Sequence, residues 1–261
     1  MIGVLGGGFA LYGWLPALAQ FYPNETILLE ERHKSKFEQR SELQQYKNRI
    51  EWIKGDKNIS FFSELLILAI PPHQVYQYLP VIKSSPYLKK LIVEKPVCET
   101  PEKSEEFIKQ IEGKGIKICS SYLFFYTDWY NELNSNKYYS INWLKSNDNP
   151  IDSWKKKDEL GGGDIFYKIH LFALQTVNFN IHIKFDSGVK EGCNEIFIVN
   201  ETDKDFIHCS PFEEQFNGED DRIPLLKQLL YDFENNYEKV NKIMKDTNQL
   251  WKQIEEKQKS N

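Results

Sequence analysis

The sequence predicts an α/β protein in two parts. A Rossmann-like, doubly wound parallel sheet over residues 1–119 is followed by a reduced α+β domain over residues 120–261, with a small, mostly antiparallel sheet and a long C-terminal helix. Short apolar runs alternate with amphipathic stretches up to Cys119, as in helices that cover both faces of a parallel sheet. After Cys119 the chain becomes rich in aromatic residues, and its end repeats apolar residues at helical spacing.

Five apolar runs in the first part predict the strands of the parallel sheet: "IGVLG", "TILLEE", "LLILAIP", "KKLIVEKP" and "IKICSS". Between them, helical patterns begin near Tyr12 and lie in "KSKFEQRSELQQYK", "HQVYQYLPVIK" and "PEKSEEFIKQIEGKG". In the last pattern, Thr100 is the expected N-cap, Pro101 the first helical residue and Gly113 the end. Right-handed crossovers would arrange the strands into a doubly wound sheet.

The second part opens with an aromatic segment, "SSYLFFYTDWY", which is either core or the wall of a sugar site. A turn at "SNDNPIDS" and a glycine run at 161–163 follow. The runs "IHIKFDS", "NEIFIVN" and "DFIHCS" predict the small sheet. From Ile223 to about Lys257 the spacing predicts one helix, with a frayed polar tail.

Composition excludes several classes of function. The 261 residues carry a net charge of −5 with both signs interspersed, which argues against nucleic acid as a partner. The longest apolar runs are far shorter than the roughly 20 residues of a membrane-spanning helix. The first residues lack the features of a secretory signal, so we expect a cytoplasmic protein. The four cysteines form no Cys-x-x-Cys pair, and no metal site is predicted.

The glycines that follow the first strand resemble a dinucleotide-binding turn. Gly6 and Gly8 stand at the first two positions of the fingerprint G-x-G-x-x-G, where missing side chains allow the backbone to approach a pyrophosphate. Leu11 stands at the third position, where glycine lets the helix pack close to the strand. Phe9 and Ala10 complete the turn and are predicted to contact the cofactor.

An acidic residue at the end of the second strand is the next part of the fingerprint, because it binds the adenosine ribose hydroxyls. Glu31 is our candidate for this contact, and its charge would favour NAD over NADP by repelling a 2′-phosphate. Arg32 could instead pair with that phosphate. The sequence therefore predicts NAD or NADP, with a preference for NAD.

Three stretches together resemble the Gfo/Idh/MocA family of glucose-fructose oxidoreductase and inositol dehydrogenase. They are "GVLGGGFALYGWLPAL", "LIVEKPVCETPEKSEEF" and "SWKKKDELGGGDIFYKIHLF". The second contains the family's Glu-Lys-Pro signature at residues 94–96, and the resemblance implies a cis Lys-Pro bond. Trp14 stands where histidine is common, and the chain is shorter than most members.

The resemblance implies that Lys95 and His170 move a proton on a sugar hydroxyl while a nicotinamide takes the hydride. Lys95 follows a strand, so we expect it at the carboxyl edge of the sheet, with a pKa lowered by burial or a neighbouring cation. The family's aspartate position is occupied by Phe166. Tyr167 would share a helix face with His170, and we hypothesise that it replaces the aspartate, with its pKa lowered by Lys95.

Further candidates come from loops near the same edge. The resemblance implies a sugar or sugar-nucleotide substrate and association into a homodimer or larger homo-oligomer through the second sheet. Pro71, His73, Glu94 and Lys95 are predicted to lie at the cofactor, with Glu94 orienting the backbone or Lys95. Tyr122, Trp154 and Lys155 are predicted to contact the substrate.

Three functions remain open from the sequence. The first is an NAD(P)-dependent oxidoreductase acting on a sugar or sugar-nucleotide hydroxyl or ketone. The second is a non-catalytic descendant that binds a dinucleotide or sugar nucleotide, which the departures at Leu11, Phe166 and Lys168 favour. The third is an imine-type reductase, for which a complete proton relay is less necessary.

Overall fold

The computed structural model describes residues 1–177, 180–212 and 219–260. Its strands are β1 (Ile2–Leu5), β2 (Ile27–Glu30), β3 (Ile50–Ile53), β4 (Leu65–Leu68), β5 (Lys90–Val93), β6 (Lys117–Ser120), β7 (Tyr139–Lys145), β8 (Ile181–Asp186), β9 (Asn194–Asn200) and β10 (Phe206–Cys209). Its α-helices are α1 (Leu15–Phe21), α2 (Lys34–Glu38), α3 (Asp56–Phe62), α4 (Pro72–Val75), α5 (Leu79–Ser84), α6 (Pro101–Glu112), α7 (Asp128–Asn131), α8 (Ile165–Val177), α9 (Ile223–Asn235) and α10 (Tyr237–Lys259).

The first six strands form one parallel sheet in the order β3-β2-β1-β4-β5-β6, which confirms the predicted doubly wound fold. Strands β1 and β4 are entirely buried apolar segments, as expected for strands covered on both faces. The chain changes direction across the sheet between β1 and β4, and ligands bind at such a switch point. Strand β3 was not predicted, because this edge strand has only four residues, is half-buried, and has its apolar residues interrupted by Glu51.

The second sheet has the order β10-β9-β7-β8 and is mixed. Strand β9 is antiparallel to both β7 and β10, whereas β7 and β8 are parallel. The sequence predicted β8, β9 and β10 but not the central strand β7, whose polar and aromatic residues alternate. Helix α8 packs against this sheet, and Phe124, Trp129 and Trp143 lie in the core between them. Most of the aromatic segment is therefore core.

The single helix predicted from Ile223 is two helices, because Asn236 leaves helical geometry with φ −130° and ψ 39°. The amide N–H of Asn236 donates to the Asp232 carbonyl at 2.7 Å, and its side chain donates to the Asp232 carboxylate at 2.9 Å. The predicted fraying of the tail is wrong, since α10 continues to Lys259.

Both C-terminal helices pack on the parallel-sheet layer. Helix α9 contacts α1, and α10 contacts α6 and β6 as well as α8 of the second part. These helices therefore connect the two sheets, while the division at residues 119 and 120 stays a prediction. Within the described ranges, no helix is both long enough and apolar enough to cross a membrane.

Candidate active site

The glycine turn after β1 is compact on one side and open on the other. Gly6 has a φ of +129°, and a Cβ there would lie 2.2 Å from the Ala69 carbonyl oxygen, so only glycine fits against the end of β4. A Cβ at Gly8 would meet no atom within 4 Å. The turn therefore exposes backbone at the position where a pyrophosphate would approach.

The helix after the turn begins with a π-helical segment, Ala10–Trp14, before α1. Leu11, in place of the third glycine, is 2% exposed and packs into the core beside the sheet. The Phe9 ring lies against Gly13, where a Cβ would come within 2.1 Å of it. The π-helical turn and Gly13 thus occur together with the bulky side chains of Phe9 and Leu11.

Side chains that follow β2 in the sequence fill the space at the acidic end of this strand. The His33 imidazole lies against Gly7, where a Cβ would be 2.4 Å from Cε1 and Nδ1. The Glu30 carboxylate accepts from Arg32 Nε at 2.5 Å and lies 3.8 Å from His33 Nε2. Burial, followed by the charge of Arg32, lowers the pKa of His33. Glu31 is exposed at the start of a short 3₁₀ turn, so Glu30 is the acid that faces Arg32 and His33.

Pro71 is the N-cap of α4 and His73 lies within that short helix, which follows β4 at the same edge of the sheet. His73 Nδ1 is buried and has no hydrogen-bond partner among the described residues. Pro72 next to them contacts the glycine run of the second part: a Cβ at Gly161, which has a φ of +74°, would lie 2.8 Å from Pro72 Cβ. The glycine run therefore allows the second part to pack directly on the segment that follows β4.

A cavity of about 510 Å³ lies between the glycine turn, the end of β5 and the second sheet. It brings together six of the predicted site residues, namely Phe9, Glu94, Lys95, Lys155, Tyr167 and His170. The other lining residues are Tyr12, Ser121, Leu123, Trp143, Lys145, Ser146, Asp148, Asn149, Phe166, Asn194, Phe212, Asp220, Asp221 and Arg222. A larger groove of about 780 Å³ between α8 and α10 contains neither Lys95 nor His170.

Glu94 is held by the helix that follows the glycine turn. Trp14, which is fully buried, donates from Nε1 to Glu94 Oε1 at 2.8 Å. The residue that departs from the family pattern at position 14 therefore still supplies an N–H donor. This bond ties the end of β5 to the start of α1.

Lys95 is 8% exposed and lies two residues after the end of β5. The peptide bond between Lys95 and Pro96 is cis, as the resemblance implied. Its Nζ donates to the Phe166 carbonyl oxygen at 2.5 Å and lies 3.6 Å from the centroid of the Phe166 ring. Burial, opposed by the charge of Glu94 and reinforced by the charges of Lys155 and Arg222, lowers the pKa of Lys95 to about 7. The predicted lowering of the Lys95 pKa is confirmed. Because Phe166 is neutral, it supplies no negative charge that would raise this pKa again.

His170 stands in an aromatic enclosure on α8. Its ring stacks on Phe124 at 4.7 Å between centroids, and its Nδ1 has no hydrogen-bond partner in the part of the chain that the structure describes. Burial, followed by the charges of Lys95 and Arg222, lowers the pKa of His170 well below its ordinary value. The imidazole is therefore neutral at pH 7.

Tyr167 also lines the cavity, but its expected activation by Lys95 is wrong. Burial raises the pKa of Tyr167, and the Lys95 ammonium lies 5.9 Å from the ring centroid. The phenol oxygen accepts from Asn149 Nδ2 at 3.2 Å, and the ring stacks on Phe185 at 5.7 Å. The phenol is thus a protonated group that can donate to a ligand.

The three predicted substrate residues have different surroundings. Tyr122 lies in the core with its ring edge toward His170, 6.5 Å between centroids, and burial raises the pKa of its phenol. Trp154 packs edge-on against Phe166 at 5.2 Å. Of the three, only Lys155 contributes to the lining of the cavity.

Arg222 is the main cavity residue that sequence reasoning missed. Its guanidinium lies 3.9 Å from the Phe9 ring centroid and donates twice to Asp220, at 2.8 Å from both Nε and Nη2. The only local signal is that Arg222 precedes the predicted helix. This position gives no indication of a contact with Phe9, which lies 213 residues earlier in the glycine turn. Trp143 and Phe212 were also missed.

The fold and site together define a two-part α/β protein with a dinucleotide-type turn and, at the switch point, a cavity lined by four basic and four acidic residues. No group of His, Cys, Asp and Glu residues within the described ranges is arranged to hold a metal ion. The sequence matches no protein-family model and no curated protein.

Solved structures match the fold over nearly the whole chain. A super-repressor mutant of Gal80p from Saccharomyces cerevisiae has 15% identity and a TM-score of 0.70, covering 100% of this chain and 95% of that one. The 3-ketoreductase KijD10 from Actinomadura kijaniata, solved with NADP and TDP-benzene, has 9% identity and a TM-score of 0.67, covering 95% and 94%. The WlbA dehydrogenase from Thermus thermophilus, solved with NAD and UDP-GlcNAcA, has 12% identity and a TM-score of 0.66, covering 95% and 92%.

The structural neighbours are Gfo/Idh/MocA-type dehydrogenases and Gal80p, so the resemblance predicted from the sequence is confirmed in the fold. At these identities the likeness concerns the fold alone. Function is argued from the site.

Proposed function

We propose that this protein is an NAD(P)-dependent oxidoreductase that acts on a hydroxyl or ketone of a sugar or sugar nucleotide. The observation that carries the proposal is Lys95: a buried amine with a pKa of about 7, in a cavity that also contains Phe9 of the glycine turn. A group with this pKa can both accept and return a proton near neutral pH.

The residues of the turn fit a dinucleotide. Gly8 leaves space for the pyrophosphate, with backbone contacts from Phe9 and Ala10, while Gly6 fixes the turn. Pro71, His73 and Glu94 would border the cofactor. Glu31, or Glu30 beside it, would bind the ribose and favour NAD, whereas Arg32 would favour NADP. When bound, the nicotinamide supplies or accepts the hydride.

Lys95 would accept the proton of the substrate hydroxyl during oxidation and return it during reduction. The Phe166 carbonyl holds the amine in place at 2.5 Å, and its ring excludes water from one side. An aspartate at position 166 would raise the pKa of Lys95, whereas this neutral partner leaves the amine near its working pH.

His170 and Tyr167 would orient the same oxygen. The neutral imidazole can donate or accept one hydrogen bond, and the protonated phenol can donate one. Trp154 would hold the Phe166 ring in place, and Tyr122 would hold the His170 ring in place, by packing against them. A homodimer through the second sheet belongs to the same proposal.

The test is a fluorescence titration with NADH and, separately, NADPH. Gly8→Trp fills the open space at the turn, and Gly188→Trp is the matched control, because a Cβ there meets only Asp186 Oδ1 at 3.3 Å. We expect micromolar binding of one dinucleotide that is lost in Gly8→Trp and retained in Gly188→Trp. Equal binding by both variants, or none by the wild type, would overturn the cofactor assignment.

A non-catalytic dinucleotide- or sugar-nucleotide-binding protein is the second candidate. The contact of His33 with Gly7 favours it, because a cofactor ribose would have to share this space. Gal80p, described as a transcriptional regulator, is among the structural neighbours. Dinucleotide binding without turnover on sugars, sugar nucleotides or imines would select this candidate, and turnover on imines alone would select an imine-type reductase.

A further inference from the structure

Lys155 carries a half-buried ammonium without a partner. Its side chain lies with Nζ 5.4 Å from the Phe166 ring centroid, and it forms no ion pair or hydrogen bond with any described residue. Burial, followed by the charges of Arg222 and Lys145, lowers its pKa. A desolvated cation of this kind is unfavourable until a ligand compensates it.

Lys95 likewise forms no ion pair with a described carboxylate. Its Nζ contacts the carbonyl and the ring of Phe166, both of which are neutral. Two ammonium groups therefore approach one aromatic ring in one cavity, and neither forms an ion pair with a described carboxylate. The charge of Lys155 contributes to the lowered pKa of Lys95, as expected when like charges share a site.

The acids of the cavity form bonds to other groups, and although the charge of Glu94 acts on both lysines, no described carboxylate forms an ion pair with either of them. Glu94 accepts from Trp14 Nε1, and Asp220 accepts two bonds from Arg222. Asp148 accepts from the Ser146 hydroxyl at 2.7 Å, and Asp221 is engaged as well. A ligand that carries an anionic group would supply the direct partner that these lysines lack among the described residues.

The position of Lys155 is fixed by the glycine run. A Cβ at Gly162 would lie 2.8 Å from the Lys155 carbonyl carbon, and the amide of Gly163 donates to the Lys155 carbonyl oxygen at 2.8 Å. Asn147 Nδ2 donates to the same oxygen at 3.3 Å. These contacts fix the backbone of Lys155, and its side chain reaches the cavity from this fixed position.

We propose that the ligand of this cavity is an anion, whose carboxylate or phosphate ester binds the Lys155 ammonium, with Lys95 and Arg222 as the neighbouring cations. This inference rests on the proposed function for the reaction, and it narrows the substrate class to acidic or phosphorylated sugars. A neutral sugar would leave Lys155 uncompensated.

The experiment measures binding of D-glucuronate, D-glucose 6-phosphate and D-glucose by isothermal titration calorimetry, with and without NADH or NADPH. Lys155→Met removes the ammonium, and Lys156→Met, on the exposed neighbouring residue, is the matched control. We expect one anion to bind at least tenfold more tightly than glucose. Lys155→Met should weaken that anion about 10- to 100-fold, the range for a charged hydrogen bond, while Lys156→Met stays within about twofold.

The two anions distinguish a carboxylate ligand from a phosphate ester. Glucose binding as tightly as both anions, absence of binding by all three compounds, or equal losses in the two lysine variants would overturn the inference. Anion binding that depends on Lys155 but shows no response to dinucleotides would support the inference while removing the proposed redox function.

Discussion

The two ends of the cleft differ in how their polar groups are satisfied. In the proposed function the cleft has an adenosine end and a reaction end. At the adenosine end, Glu30, Arg32 and His33 contact one another and fill the space beside Gly7. At the reaction end, Lys95 and Lys155 surround a cavity of about 510 Å³ without forming ion pairs with described carboxylates. Unsatisfied buried charge therefore indicates the reaction end as the part of the chain that depends most on a ligand.

The difference also explains why two functions compete. The closed adenosine end favours a protein that has weakened its hold on the dinucleotide. The open reaction end favours one that still binds and converts a small molecule. Experiments that change one end and measure both can separate these possibilities.

The largest expected effect comes from Lys95→Met. We expect kcat/KM on the best substrate of a sugar and sugar-nucleotide panel to fall about 10²- to 10⁴-fold, the range for loss of a general acid or base. Dinucleotide affinity, measured by fluorescence, should change less than about twofold. The fold should persist, because methionine removes an uncompensated buried charge and keeps the side chain's length.

Lys156→Met is the control for that variant and should behave as the wild type. If Lys95→Met turned over normally, proton transfer by Lys95 would be excluded. The reaction end would then be a binding site only.

The second effect concerns pH. Since neutral Lys95 accepts the proton, kcat/KM for oxidation should rise with pH and level off above about 7, whereas reduction needs the protonated amine and should decline there. Lys155→Met removes a cation that lowers the pKa of Lys95, so both limbs should move to higher pH, by roughly half to one unit. Unmoved limbs would show that the two lysines are not coupled.

The smallest effect is expected at the adenosine end. His33→Ala removes the imidazole that lies against Gly7, so NADH or NADPH should bind about threefold more tightly, since no side chain has to be displaced. His182→Ala, on an exposed position of β8, is the control and should not change the affinity. Weaker binding by His33→Ala would instead make His33 a cofactor contact.

Much of the fold could be predicted because its signals are local. The apolar runs of β1, β4, β5 and β6, the glycine turn and the Glu94-Lys95-Pro96 segment each follow from a few adjacent residues. Strands β3 and β7 were missed for the opposite reason: their residues alternate or are polar, and they become strands by pairing with neighbours. The break at Asn236 likewise depends on bonds to Asp232 that helical spacing does not reveal.

By itself, the sequence determined the parallel sheet, the dinucleotide-type turn and the position of Lys95 at the carboxyl edge, because strand periodicity and turn chemistry depend on neighbouring residues. Only the tertiary structure decided what surrounds Lys95. Phe166, 71 residues away, supplies its carbonyl, and Arg222 enters from the start of α9. A pKa is set by burial and by charges close in space, and long-range packing rather than local sequence fixes both.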